Sequence, residues 1–119
     1  MIKYIGKPYS FRDYNCWDFV VEARADANIQ TRHFKPKTLA NAFEIITAQM
    51  KKIDNGLTLA DSPENYDIAI SCNARRLSLY HCGLYLDGDV FHCDRSRKQV
   101  VKDTLAEFIN LYGEITFWR

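Results

Sequence analysis

His81-Cys82-Gly83-Leu84-Tyr85-Leu86-Asp87-Gly88-Asp89-Val90-Phe91-His92-Cys93 is the stretch on which the fold turns. Residues Leu79 to Leu86 and Asp89 to Cys93 are rich in β formers, and Asp87-Gly88 between them is a strong two-residue hairpin signal. With that turn, Leu86 faces Asp89, Tyr85 faces Val90 and Gly83 faces His92. Side chains alternate along a strand, so His81, Gly83 and Tyr85 share one face with Val90 and His92. His81 and His92 become diagonal neighbours, roughly 7 Å apart at the backbone and closer at the side chains. Gly83, lacking a side chain, leaves the space between them open. On the other face Cys82 falls opposite Cys93, and in a reducing compartment the pair reads as two small buried thiols.

The flanking sequence supplies the other elements. Upstream, Tyr66, Ile68 and Ile70 alternate with Asp67, Ala69 and Ser71, a strand pattern. Downstream, Gln99 to Lys102 reads as a short strand, and Thr104-Leu105-Ala106-Glu107 is a capping box opening a helix with Leu105 and Phe108 inward. Gly113 ends that helix, and Ile115 to Trp118 reads as a closing strand. Towards the N-terminus, Asn15 is a helix cap with Asp18 in the first turn. Cys16, Phe19, Val20, Ala23 and Ala27 then form one stripe, and Asn28 is a stop. A second helix is predicted from Thr38, after Pro36, burying Leu39, Ala42, Phe43, Ile46 and Met50, with Asn55-Gly56 turning the chain. Helices first and a meander of strands afterwards predict an α+β domain, N-terminal helices packed on an antiparallel sheet.

The 119 residues, without repeats, linkers or low-complexity tracts, suit a single domain over 1–119. Lys and Arg (16) nearly balance Asp and Glu (15), so no strong field favours nucleic acid or an anionic membrane as partner. The basic group Arg95, Arg97, Lys98 and Lys102 reads as a solvated turn. No apolar stretch suits a secretory signal or a membrane span, so synthesis in the cytoplasm is expected, with delivery by other means if the protein acts elsewhere. The four cysteines (Cys16, Cys72, Cys82, Cys93) are then expected to be reduced, and no C-x-x-C pattern points to zinc or redox chemistry.

Cys16 is the candidate nucleophile. In the first turn of a helix, free N–H groups and the positive end of the dipole favour a thiolate. Its own N–H is a free donor that could hold an oxyanion. Asp18 opposes this unless its carboxylate is turned away or paired. A lone cysteine there would read as a core residue; the two histidines sharing a strand face tilt the reading towards a Cys, His, polar-residue order. His33 lies in an unpatterned polar stretch and is assigned a structural role.

These same residues carry a resemblance. Tyr14-Asn15-Cys16-Trp17-Asp18-Phe19-Val20 resembles the nucleophile motif of the NlpC-type cysteine peptidases, in which a D-C-S-G-F-V-like string opens the first helix. Ser62-Pro63-Glu64-Asn65-Tyr66-Asp67-Ile68-Ala69-Ile70 is similar to their P-G-D-led core strand, and His81 to His92 to their H-V-G-I-Y-L hairpin ending in F-x-H. The resemblance implies a papain-like α+β fold with Cys16 as nucleophile, His81 as base and His92 as third member. It implies a peptide or amide bond of bacterial cell-wall stem peptides as substrate, with no cofactor. Pro8-Tyr9-Ser10-Phe11 resembles the start of the family's P-Y-x-W-G-G-like stretch, so Tyr9 is the oxyanion candidate. The loop before the cysteine is shortened, which leaves Tyr14 as the alternative. Trp17-Asp18 replaces small residues and would reshape the cleft. With no wall-binding module, the chain looks like the minimal phage or effector members, acting in a virion or after delivery to the cell wall.

Two other readings stand beside this one. A metal module could draw on Cys72, His81, Cys82, His92 and Cys93, but neighbouring residues of a strand point to opposite faces and cannot all share one tetrahedral site. A catalytically silent relative would serve as a structural or binding part of a phage tail or effector. An acyltransferase or an amidase on another amide is a variant of the enzymatic reading.

Overall fold

The computed structural model describes residues 1–31, 57–71 and 81–119. The predicted helix from Thr38, the Asn55-Gly56 turn, His33, Cys72 and Leu79 lie outside the described residues. A 3-10 turn at Ile2–Tyr4 precedes α1 (Cys16–Asp26), followed by β1 (Leu59–Ala60), β2 (Ile68–Ser71), β3 (Cys82–Leu86), β4 (Asp89–Asp94) and β5 (Gln99–Thr104). Helix α2 (Leu105–Tyr112) and strand β6 (Ile115–Trp118) complete the chain. The strands form one antiparallel sheet in the order β1-β6-β2-β3-β4-β5. The fold class is α+β, as expected.

The hairpin has the register read from its turn: Leu84 pairs with Phe91, Tyr85 with Val90 and Leu86 with Asp89. Asp87 (φ 51°) and Gly88 (φ 87°) are both left-handed, which is what a turn matching the twist of the two strands requires. Strand β5 runs two residues beyond its expected end and passes directly into α2, whose Thr104–Glu107 capping box forms. Beyond β4 the chain turns over four residues, Arg95 to Lys98, before pairing His92 with Val101 and Val90 with Asp103.

Two apolar clusters divide along the pleat. Phe19, Val20 and Ala23 of α1 pack on Ile68, Ile70, Cys82, Leu84, Phe91, Cys93 and Val100. On the opposite face, Phe108 of α2 packs on Ala69 and Val90, flanked by Leu105, Tyr112, Ile115 and Phe117. The sheet is therefore covered from both sides, α1 on one face and α2 on the other. That is why β2 is buried at every residue although its sequence alternates. No helix of the described residues is long and apolar enough to cross a membrane.

Candidate active site

Helix α1 begins at Cys16 because Asn15 caps it. The Asn15 backbone is extended, and its Oδ1 accepts from the N–H groups of Trp17 (3.0 Å) and Asp18 (3.1 Å). Asp18 Oδ2 accepts in return from the Asn15 N–H at 2.9 Å, closing a capping box. Asp18 is thus engaged with the cap, the condition under which it does not oppose a thiolate. The Asn15 carbonyl takes the Phe19 N–H at 3.1 Å, which leaves the Cys16 N–H outside the capping pattern. Cys16 itself is half-buried.

His81 stands just ahead of β3, near enough to the Cys16 sulfur that its imidazole lowers the thiol's pKa. Its Nε2 lies 2.8 Å from Nδ1 of His92, whose Nε2 lies 2.6 Å from Asp103 Oδ2. Tautomers follow from these partners. The Asp103 carboxylate can only accept, so His92 Nε2 carries the proton and His92 Nδ1 accepts from His81 Nε2–H. His81 Nδ1 is then the nitrogen left to meet the sulfur. Burial first, and then the His81 charge, push the His92 pKa down to about 4, so this ring is neutral at physiological pH.

The inner end of the chain is braced by ions. Arg97 grips Asp103 through both terminal nitrogens, Nη1 being 3.1 Å from Oδ1, and donates from Nε to Asp94 at 2.5 Å. Asp94 also accepts from the Tyr112 hydroxyl at 2.8 Å and from Ser96. Burial, the largest single influence, would raise both carboxyls, but the combined hydrogen bonds outweigh it and hold each below its ordinary value: Arg97, Tyr112 and Ser96 on Asp94, Arg97 and His92 on Asp103. From α2, the Tyr112 ring stacks on His81 with centroids 4.4 Å apart, and Phe108 meets His92 in a T-shaped contact at 4.9 Å. Gly83 keeps the passage open: a Cβ there would lie 2.5 Å from Val90 Cγ1, 2.9 Å from the Phe91 carbonyl oxygen and 3.0 Å from His92 Cβ.

The sulfur's surroundings favour its anion. The Cys82 thiol hydrogen-bonds Cys16 and is the largest cause holding the Cys16 thiol well below its ordinary pKa. Burial opposes this, while the His81 imidazole and a backbone hydrogen bond from Cys82 add to it. The same hydrogen bond pushes Cys82 the other way, well above a free thiol. Burial, then the neighbouring Cys16, push Cys93 up to about 12. Cys82 and Cys93 are both buried and free.

No family model and no curated protein matches the chain. Its own geometry must therefore carry the reading. Cys16, His81 and His92 come together: the two imidazoles share a hydrogen bond, and His81 acts on the Cys16 thiol. Tyr9 is half-buried beside the same sulfur: burial and then Cys16 raise its hydroxyl. Tyr14 takes a different position. Lys7 Nζ sits 3.8 Å over its ring, and its buried hydroxyl lies beside Glu22 without a well-formed hydrogen bond. Trp17, expected to reshape the cleft, is 7% exposed and belongs to the core under α1.

One correction concerns the turn after β4: it is only partly solvated, since Arg97 binds two buried carboxylates. The faces are as expected, with Cys82 packed under α1 and His81 against Tyr112 and Phe108 of α2, and both influence the Cys16 thiol. Among the described residues no group of three or more His, Cys, Asp or Glu is arranged to hold a metal ion. Asp103, Arg97, Asp94 and Tyr112 were not legible as site residues. The available signal was the pairing itself: Asp103 stands opposite Val90, diagonal to His92 in the same way as His81.

Proposed function

We propose that this protein is an NlpC-type, papain-like cysteine hydrolase that cleaves an amide bond, with peptidoglycan stem peptides as the first substrate class to test. The observation that carries the reading is the buried His81–His92–Asp103 hydrogen-bonded chain (2.8 and 2.6 Å), whose outer imidazole acts on the Cys16 thiol at the start of α1. In this scheme the Cys16 thiolate attacks the amide carbonyl, and the oxyanion rests on the Cys16 N–H and the Tyr9 hydroxyl. His81 donates its Nδ1 proton to the leaving amine, then takes a proton from water as the thioester is hydrolysed. His92 holds the ring of His81 by accepting its Nε2–H throughout.

Mass spectrometry of muropeptides after treatment with the purified protein tests this. New amino termini should appear with the native chain and be absent with Cys16→Ala, while the melting temperature stays within a few degrees. Cleavage that persists in Cys16→Ala removes Cys16 as nucleophile. A Cys16 that resists iodoacetamide at pH 6 would favour the silent structural relative.

A further inference from the structure

His92 is fully buried with only two ring nitrogens to satisfy, and each has one partner. A neutral imidazole has one N–H, so whichever nitrogen holds it decides whether His92 accepts from His81 or opposes it. Asp103 is 5% exposed and reaches Nε2 at 2.6 Å from the strand on the far side of β4. Arg97 occupies its remaining lone pairs and is shared with Asp94, which is itself tied to Tyr112. One guanidinium between two carboxylates leaves one negative charge beneath His92.

We infer that Asp103, clamped by Arg97, is a positioning residue of the proposed hydrolase, holding His92 as the Nδ1 acceptor that supports a charged His81. This rests on the reading of Cys16 and His81 given above. Transfer of the Cys16 proton to His81 puts a positive charge at the outer end of a chain whose inner end is negative, so the ion pair is favoured by both ends. The charged and titratable groups around the chain are Cys16 from α1, Tyr9 ahead of it, Cys82 on β3, Asp94 on β4, Asp103 on β5, Arg97 from the turn between them and Tyr112 from α2. Among the described residues, the guanidinium that touches this chain is that of Arg97, and both its carboxylate partners are buried. Removing the carboxylate takes away the acceptor of His92 Nε2–H, so the ring proton is no longer held away from His81; an amide would not do this, because its oxygen can take the place shared by His92 Nε2 and Arg97 Nη2.

Two measurements test the assignment. Nitrogen–proton correlation spectra of the native protein should show His92 protonated at Nε2 and bare at Nδ1. Asp103→Ala should release that proton to Nδ1, and Asp103→Glu should restore the native pattern at least in part. Alkylation of Cys16 by iodoacetamide, with the adduct located by peptide mass spectrometry, should fall about tenfold or more at pH 6 in Asp103→Ala, a fold-change of about 1.4 kcal/mol. It should match the native rate at pH 10, where every accessible thiol is ionised. On cleaved substrate, kcat should fall with KM unchanged. The inference is overturned if native His92 carries its proton on Nδ1, a reading that needs no variant to fold, or if Asp103→Ala keeps the native alkylation profile. Should native Cys16 fail to react at pH 6, the nucleophile reading fails on its own, and the His92 spectra still decide the role of Asp103.

Discussion

The sheet face under α1 is apolar from Ile68 to Val100, whereas the face under α2 carries two imidazoles, two carboxylates, a guanidinium and a phenol. Both are buried, yet they are held differently. Under α1, stability comes from area removed from water and from close packing, and no single contact is indispensable. Under α2, each polar group is tied to the next, and an unpaired member would leave a desolvated partner behind. The comparison separates residues that hold the fold from residues that set proton positions. Cys16 meets both, since its helix belongs to the apolar face and its sulfur touches the end of the polar chain.

The strongest way to sharpen that contrast is an exchange of losses between the faces. His81→Ala should lower kcat by about 10²–10⁴-fold. Phe19→Ala, removing a fully buried ring under α1, should cost about 3–5 kcal/mol in urea denaturation while the folded fraction keeps near-native kcat. A Phe19 variant that loses kcat as severely as His81→Ala would erase the distinction. Next in size, Tyr9→Phe should reduce kcat by about 10²–10³-fold if its hydroxyl holds the oxyanion. Tyr14→Phe should change kcat less than twofold, because Tyr14 faces Lys7 and Glu22 instead.

Acid should find the polar face first. His92 is held at about 4 by burial, against an ordinary value of 6.5, so the unfolded chain takes up the proton before the folded one does. Stability therefore falls as pH drops from about 6.5 to about 4, by on the order of 2–4 kcal/mol, and His92→Gln should flatten the profile across that window. Asp94 and Asp103 act below it. Both are held under their ordinary value of 3.8, so their contribution is present above that pH and is lost as acid protonates them. A native profile that is flat from pH 6.5 to 4 would show that His92 is not held neutral. The smallest of these effects crosses the two faces. Gly83→Ala should cost about 1–3 kcal/mol, because the Phe91 carbonyl against its Cβ is backbone and yields little. It should also lower kcat by displacing His92, which a purely packing-based defect on the α1 face would not do.

Residues 86 to 89 show why part of the site was readable. A two-residue turn specifies register, register specifies faces, and so the proximity of His81 and His92 followed from local chemistry. The Arg95 to Lys98 turn has no such signal, and without the β4–β5 register Asp103 was only an acidic residue ahead of a helix. Arg97 was misread for a related reason, since charged turn residues are ordinarily solvated and its two partners come from strands on either side. Cys82 was placed by alternation on the face away from His81. The structure keeps it there, in the core under α1, while His81 lies against Tyr112 and Phe108; what alternation could not tell is that both influence the Cys16 thiol.

The amino-acid sequence by itself determined what depends on neighbours along the chain: the Asn15 cap that starts α1 at Cys16, the left-handed Asp87-Gly88 turn, the Thr104–Glu107 capping box and the α+β character. Their energies are decided within a few residues, so they are readable without coordinates. Tertiary structure alone decided that α1 and α2 take opposite faces, that Tyr9 and not Tyr14 stands beside the sulfur, and that Asp103 completes the hydrogen-bonded chain. Those outcomes depend on which strands pair and how helices dock, and such contacts join residues that no local preference brings together.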